Sequence, residues 1–224
     1  MKLRRTVPIL PLLIALAVGL SCADIAAPDR SEAYEWRLIR PTGPVSAETL
    51  SFHWPRSRLP VRIWTEDTLN LPVHVANGIA LWKAAFLYDE FDAVSVADSN
   101  AADVIVSAGS AVKGGFSVTR LSIRGAPECE GGTDFELPPG SREIQVPVRV
   151  FLNPRFAPGT PGVDECLSLT TAHELGHAIG IFAHSAVVTD LMYSDPAVSV
   201  LSIRDRATVE RAYHITPTLS VAPR

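Results

Sequence analysis

Apolar positions recur along this chain with two periods, and each change of period marks an element. Pro60-Val61-Arg62-Ile63-Trp64-Thr65 alternates apolar with polar or charged residues, as a half-buried strand does. Val75, Ile79, Trp82 and Phe86 then follow at i, i+4, i+7 and i+11, one apolar stripe that predicts a helix over 70–88. Asn70 is its candidate N-cap, with Pro72 in the first turn. Two short strands are expected over 91–96 and 103–107, separated by the turn-like Asp98-Ser99-Asn100. Gly114-Gly115 opens a further strand over 116–123, and a Gly/Pro-rich loop over 125–140 follows. A strand over 143–152 closes at Asn153-Pro154, before a Pro/Gly-rich connection over 155–164.

The last third of the chain changes to helical spacing. A helix is expected to start within 167–171 and to end at Gly180, where glycine suits a left-handed C-terminal cap. A final helix is expected over 204–212. Residues 24–55 are polar and weakly periodic, and read as a linker or extended arm; 217–224 read as a tail. Strands and one helix first, two helices later, is an α+β order: a twisted sheet packed on two helices, with a short C-terminal subdomain ending in a helix.

Composition narrows the class. The 224 residues, 47% apolar and 20% charged, suit one globular domain, placed over 56–216. A net charge of −4, with no basic tract interleaved with aromatics, excludes nucleic acid as a partner. Lys2, Arg4 and Arg5 precede an apolar stretch over 7–20 and the small residues Ser21-Cys22-Ala23, which read as an export signal over 1–23. Pro8 and Pro11 break that stretch, which argues against the alternative of a retained membrane anchor. Cleavage before Asp24 would release the chain. Lipidation at Cys22 would tether it to the cell envelope, the only membrane contact expected. Cys129 and Cys166 then remain as an even pair in an oxidising compartment, where a disulfide is expected and two buried thiols are the alternative.

The chemistry concentrates in His173-Glu174-Leu175-Gly176-His177-Ala178-Ile179-Gly180, followed by His184. Histidines four apart on a helix lie on one face, so both imidazoles can converge on a metal. Glu174 can then reach a metal-activated water without being a ligand. Gly180 breaks the helix so that His184 can return to the site, and Leu191-Met192-Tyr193 places a methionine shortly after.

Those residues resemble the metzincin clan of zinc endopeptidases, most closely its matrixin-like bacterial members. Weaker echoes lie in Leu59-Pro60-Val61-Arg62-Ile63, in Ala102-Asp103-Val104-Ile105-Val106, and in Leu201-Ser202 with Asp205 and Tyr213. The resemblance implies a mostly parallel sheet and one catalytic Zn²⁺ on His173, His177 and His184. It further implies Glu174 as general base and acid and Met192 as the turn beneath the metal. Tyr193 becomes an auxiliary hydrogen-bond donor or a core residue. Protein or peptide substrates would add as a strand along the sheet edge, near 116–123, and the enzyme would act as a monomer.

One departure stands out. The family's third histidine would fall at Ala183, and here it arrives one residue late, at His184; Asp190 or Asp195 is the rival ligand. A catalytically silent binding protein of the same fold is the alternative function. A thermolysin-like site would need Glu210, which reads instead as part of an amphipathic helix. His53, His74 and His214 are scattered and read as surface or core histidines. Calcium would find carboxylates in the Asp/Gly-containing loops, but no regular ligand spacing supports it.

Overall fold

The computed structural model describes residues 30, 32–109, 116–117, 129–138, 140–157 and 159–223, with the backbone alone at 116–117. The chain is α+β. A mixed, mostly parallel sheet runs in the order β4-β3-β5-β8-β7-β6, with β9 added beside β8. These strands are β3 (Val61–Thr65), β4 (Ala93–Ser95), β5 (Val104–Ala108), β6 (Phe116–Ser117), β7 (Cys129–Glu136), β8 (Glu143–Pro154) and β9 (Ser220–Val221). β6, β7 and β8 form the antiparallel side, and β8, β5, β3 and β4 the parallel side. Two further strands, β1 (Leu38–Gly43) and β2 (Ser46–Leu50), make a separate hairpin. The helices are α1 (Leu71–Lys83), α2 (Val163–Ala178) and α3 (Ile203–Tyr213).

Period-two burial explains the parallel strands. Val61 and Ile63 on β3, Val104 and Val106 on β5, and Val148, Val150 and Leu152 on β8 all point into one core. The register keeps them level, with Ile63 beside Val104 and Val104 beside Val148. α1 lays Leu71, Val75, Ile79 and Trp82 against that core. Glycine lets α1 and α2 approach closely: a Cβ on Gly78 would stand 2.7 Å from Leu175 Cδ1.

Several sequence expectations are corrected. The helix expected to reach residue 88 stops at Lys83; Phe86 is still buried, but from a turn, against Phe91 and Tyr213. Asn70 does not cap α1 through its side chain, because its backbone is left-handed at φ 58° and its amide turns toward Asp164. α2 begins at Val163, earlier than expected. Gly162 at φ 85° turns the chain into it, and Asp164 and Glu165 favour its positive N-terminal end. The Gly/Pro-rich loop conceals all of β7.

The expected arm over 24–55 is part of the domain where it is described, since Trp36, Leu50, Phe52 and Trp54 are core residues and β1–β2 is a hairpin. The expected tail is no tail. Leu219 and Val221 are buried, and Ser220 and Val221 pair with Glu143 and Ile144. Of the strand expected over 116–123, only Phe116–Ser117 lies within the described residues. The export signal lies outside them altogether. No helix among the described residues is long and apolar enough to cross a membrane.

Candidate metal centre

α2 carries His173, Glu174 and His177, all completely buried, and ends in a paired-bond stop just beyond them. Ile181 N–H donates to Gly176 O at 3.1 Å and Gly180 N–H to His177 O at 2.9 Å, with Gly180 at φ 118°. This is the Schellman arrangement, in which the last helical carbonyls are satisfied as the chain reverses. A Cβ on Gly180 would overlap the Phe52 carbonyl, so glycine is required there both for space and for conformation. The chain then turns back and delivers His184.

The three imidazoles converge. One nitrogen from each lies within 4.8 Å of the others, the one such group of metal-binding side chains among the described residues. Ring centroids are 4.7 Å apart for His173 and His177, 5.2 Å for His173 and His184, and 5.1 Å for His177 and His184. Neither Asp190 nor Asp195 is in the group. Asp190 is held elsewhere, accepting from Ser185 Oγ and, at 3.0 Å, from Arg204 Nε.

The hydrogen bonds around the rings fix their protonation. His173 Nδ1 donates to Leu191 O at 2.8 Å and His177 Nδ1 to Ile181 O at 2.5 Å. A carbonyl only accepts, so both Nδ1 atoms carry the proton and both Nε2 atoms of the neutral rings are bare. Those two Nε2 atoms face each other at 3.0 Å. Burial, the first cause, together with the neighbouring rings, holds His173 well below the usual histidine range and His177 down at about 3. Burial also lowers His184, whose buried Nε2 has no hydrogen-bond partner. Neutral rings with facing lone pairs repel each other unless a cation lies between them. Two nitrogens at 2.0–2.1 Å from one tetrahedral ion would be about 3.3 Å apart, so the observed spacing suits a shared metal.

Glu174 faces β7. Its Oε2 accepts from Thr133 Oγ1 at 2.8 Å, and its fully buried Oε1 has no partner. Burial pushes its carboxyl up to about 8; Thr133 opposes that shift and Asp134 adds to it. A Cβ on Gly131 would overlap Glu174 Oε1 and Thr170 Cγ2, so the strand passes this close to α2 because position 131 is bare. The Cys129–Cys166 disulfide, with Cα atoms 6.0 Å apart, ties the start of β7 to the first turns of α2.

Beneath the site, Met192 is completely buried against Gly176, where any Cβ would overlap its sulfur. Tyr193 is half-buried and outside the core cluster, and its N–H donates to Asp190 O at 3.1 Å. Asp205 fastens this turn, accepting from Leu191 N–H at 2.8 Å and Met192 N–H at 3.4 Å while completing a capping box with Ser202 at the start of α3.

Thr133, Gly131 and Asp205 were not assigned to the site from the sequence. Only Ser202-x-x-Asp205, a capping pattern, carried a readable signal. The other histidines are engaged away from the site: His53 with Trp54 O and Ile215 O, His74 with Asp164, and His214 with Glu90. Comparison with protein-family models and with curated proteins finds no match for this chain.

Proposed function

We propose that this protein is a zinc-dependent endopeptidase of the metzincin, matrixin-like type, exported and acting on extended protein or peptide substrates. The observation that carries the reading is the pair of unprotonated Nε2 atoms at 3.0 Å, each ring locked by a carbonyl on its other nitrogen. His173, His177 and His184 are the ligand set, and Leu191 O and Ile181 O orient the first two rings. Zinc held by these three neutral imidazoles would supply a Lewis acid and lower the pKa of a water at the site to about 7.

The chain's own contribution centres on Glu174. A cation bound beside it would counter the burial that holds the carboxyl up, leaving the unpartnered Oε1 ionised to take a proton from the attacking water and pass it to the departing amine. The Thr133 hydroxyl holds the other oxygen and so fixes the plane of the carboxylate. Burial keeps solvent from competing for that proton. The substrate lies extended beside the antiparallel side of the sheet, where its backbone adds as a strand.

Casein hydrolysis abolished by a chelator and restored by zinc is the expected result. Glu174→Gln should retain zinc and lose activity by about 10²–10⁴-fold. Full activity in Glu174→Gln would refute the mechanism. Stoichiometric zinc without hydrolysis in the parent chain would point to the binding-protein alternative.

A further inference from the structure

The third histidine is carried on non-helical backbone, so its position depends on whatever holds that backbone. Phe182 and Ala183, the two residues immediately before His184, both donate their N–H groups to the carbonyl of Trp36, at 2.8 and 2.9 Å. The carbonyl is itself well fixed. Trp36 is 4% exposed, with the Arg37 and Arg211 guanidinium groups 5.5 and 5.7 Å from its ring centroid. Two successive N–H groups close onto one acceptor, and the chain turns back toward the site.

Two residues earlier, the same segment reaches the other side of the centre. Tyr34 N–H donates to Thr208 Oγ1 at 3.0 Å and Tyr34 Oη to Asp205 Oδ1 at 2.9 Å. Asp205 in turn holds the N–H groups of Leu191 and Met192, and Leu191 O orients the His173 ring. Residues 34–36 therefore touch the loop that delivers His184 and, through one carboxylate, the turn that supports His173.

We infer that residues 34–36 form a positioning clamp for the three-histidine site, with the Trp36 carbonyl setting His184 and the Tyr34 hydroxyl, through Asp205, setting the Leu191–Met192 turn. The inference rests on the zinc reading above. The clamp lies outside the histidine motif and acts only on backbone and second-layer groups, so its removal degrades the geometry of the site without removing a ligand.

Two full-chain variants test it: Tyr34→Phe, and an amide-to-ester replacement that removes only the Ala183 N–H. Zinc affinity is read by competition with a chromophoric chelator, and geometry by the visible spectrum of the Co²⁺-substituted protein. Each variant should bind zinc about tenfold more weakly and show an altered cobalt spectrum. Arg58→Ala, remote from the site, should lower the melting temperature and leave both readouts at the parent's values. Parent-like zinc affinity and cobalt spectra in the two clamp variants, whatever their melting temperatures, would overturn the inference. If Tyr34→Phe does not fold, the ester variant decides. A parent chain that binds neither metal would refute the zinc reading, and the clamp with it.

Discussion

Three glycines shape the centre by what they leave out. Gly176 admits the Met192 sulfur beneath α2, Gly180 lets the chain reverse under Phe52 O, and Gly131 lets β7 pass against Glu174. The last has the most direct chemical consequence. A methyl at 131 would have to displace both the carboxylate and Thr170, because the alternative is movement of a paired strand. Gly131→Ala should therefore retain zinc and a folded structure yet lose at least about tenfold in kcat, since a displacement of about 1 Å at a catalytic group costs more than that. Zinc content and steady-state kinetics on the same preparation would check it; unchanged kcat would show that the carboxylate tolerates the shift. The chemistry-bearing residues on α2 were legible from the sequence because helical spacing alone puts positions 173 and 177 on one face. Thr133 was not, because a hydroxyl forty-one positions earlier has no local pattern linking it to Glu174.

At the level of elements, legibility followed periodicity. β3 and β5 alternate cleanly, and α1 carries an unbroken stripe, so each could be read from its own residues. β7 could not. Its Gly131-Gly132 pair, set between Pro127 and Pro138, looks like a loop until α2 is seen running across it. The β1–β2 hairpin was hidden for another reason: it is mostly exposed, and within its strands only Leu50 is fully buried, the other core contacts coming from Trp36, Phe52 and Trp54 on either side. β7 and α2 are also joined covalently, and both cysteines are buried. Replacing Cys129 and Cys166 with alanine should lower unfolding free energy by about 2–4 kcal/mol. Denaturant titration would measure the loss, and a midpoint within error of the parent would mean that packing alone holds the pair of elements.

The C-terminal end of the described chain closes onto the sheet. Arg58, 4% exposed, donates to Asp103 Oδ1 at 2.7 Å and to the carbonyl of Ala222, so one guanidinium links the entry to β3, the start of β5 and the C-terminal strand. Asp103 is completely buried and also accepts from Arg62 N–H. Arg58→Ala removes a charge-assisted hydrogen bond but leaves Asp103 paired with the Arg62 side chain, Nε to Oδ2 at 3.4 Å, so it should cost about 1.5–3 kcal/mol in denaturant unfolding. A loss below 1 kcal/mol would mean that water reaches Asp103. The tie also explains why the last eight residues read as a tail: nothing local announces that Leu219 and Val221 will find a place in the core. The disulfide has a consequence at this scale as well. It closes a circuit between positions 37 apart in sequence, from the strand beside Glu174 to the helix that bears it. A single proteolytic cut inside that circuit cannot release either piece. A chain nicked between residues 137 and 160 should migrate undivided on a denaturing gel without reductant and as two bands with it, so intactness judged on a non-reducing gel would conceal such a cut.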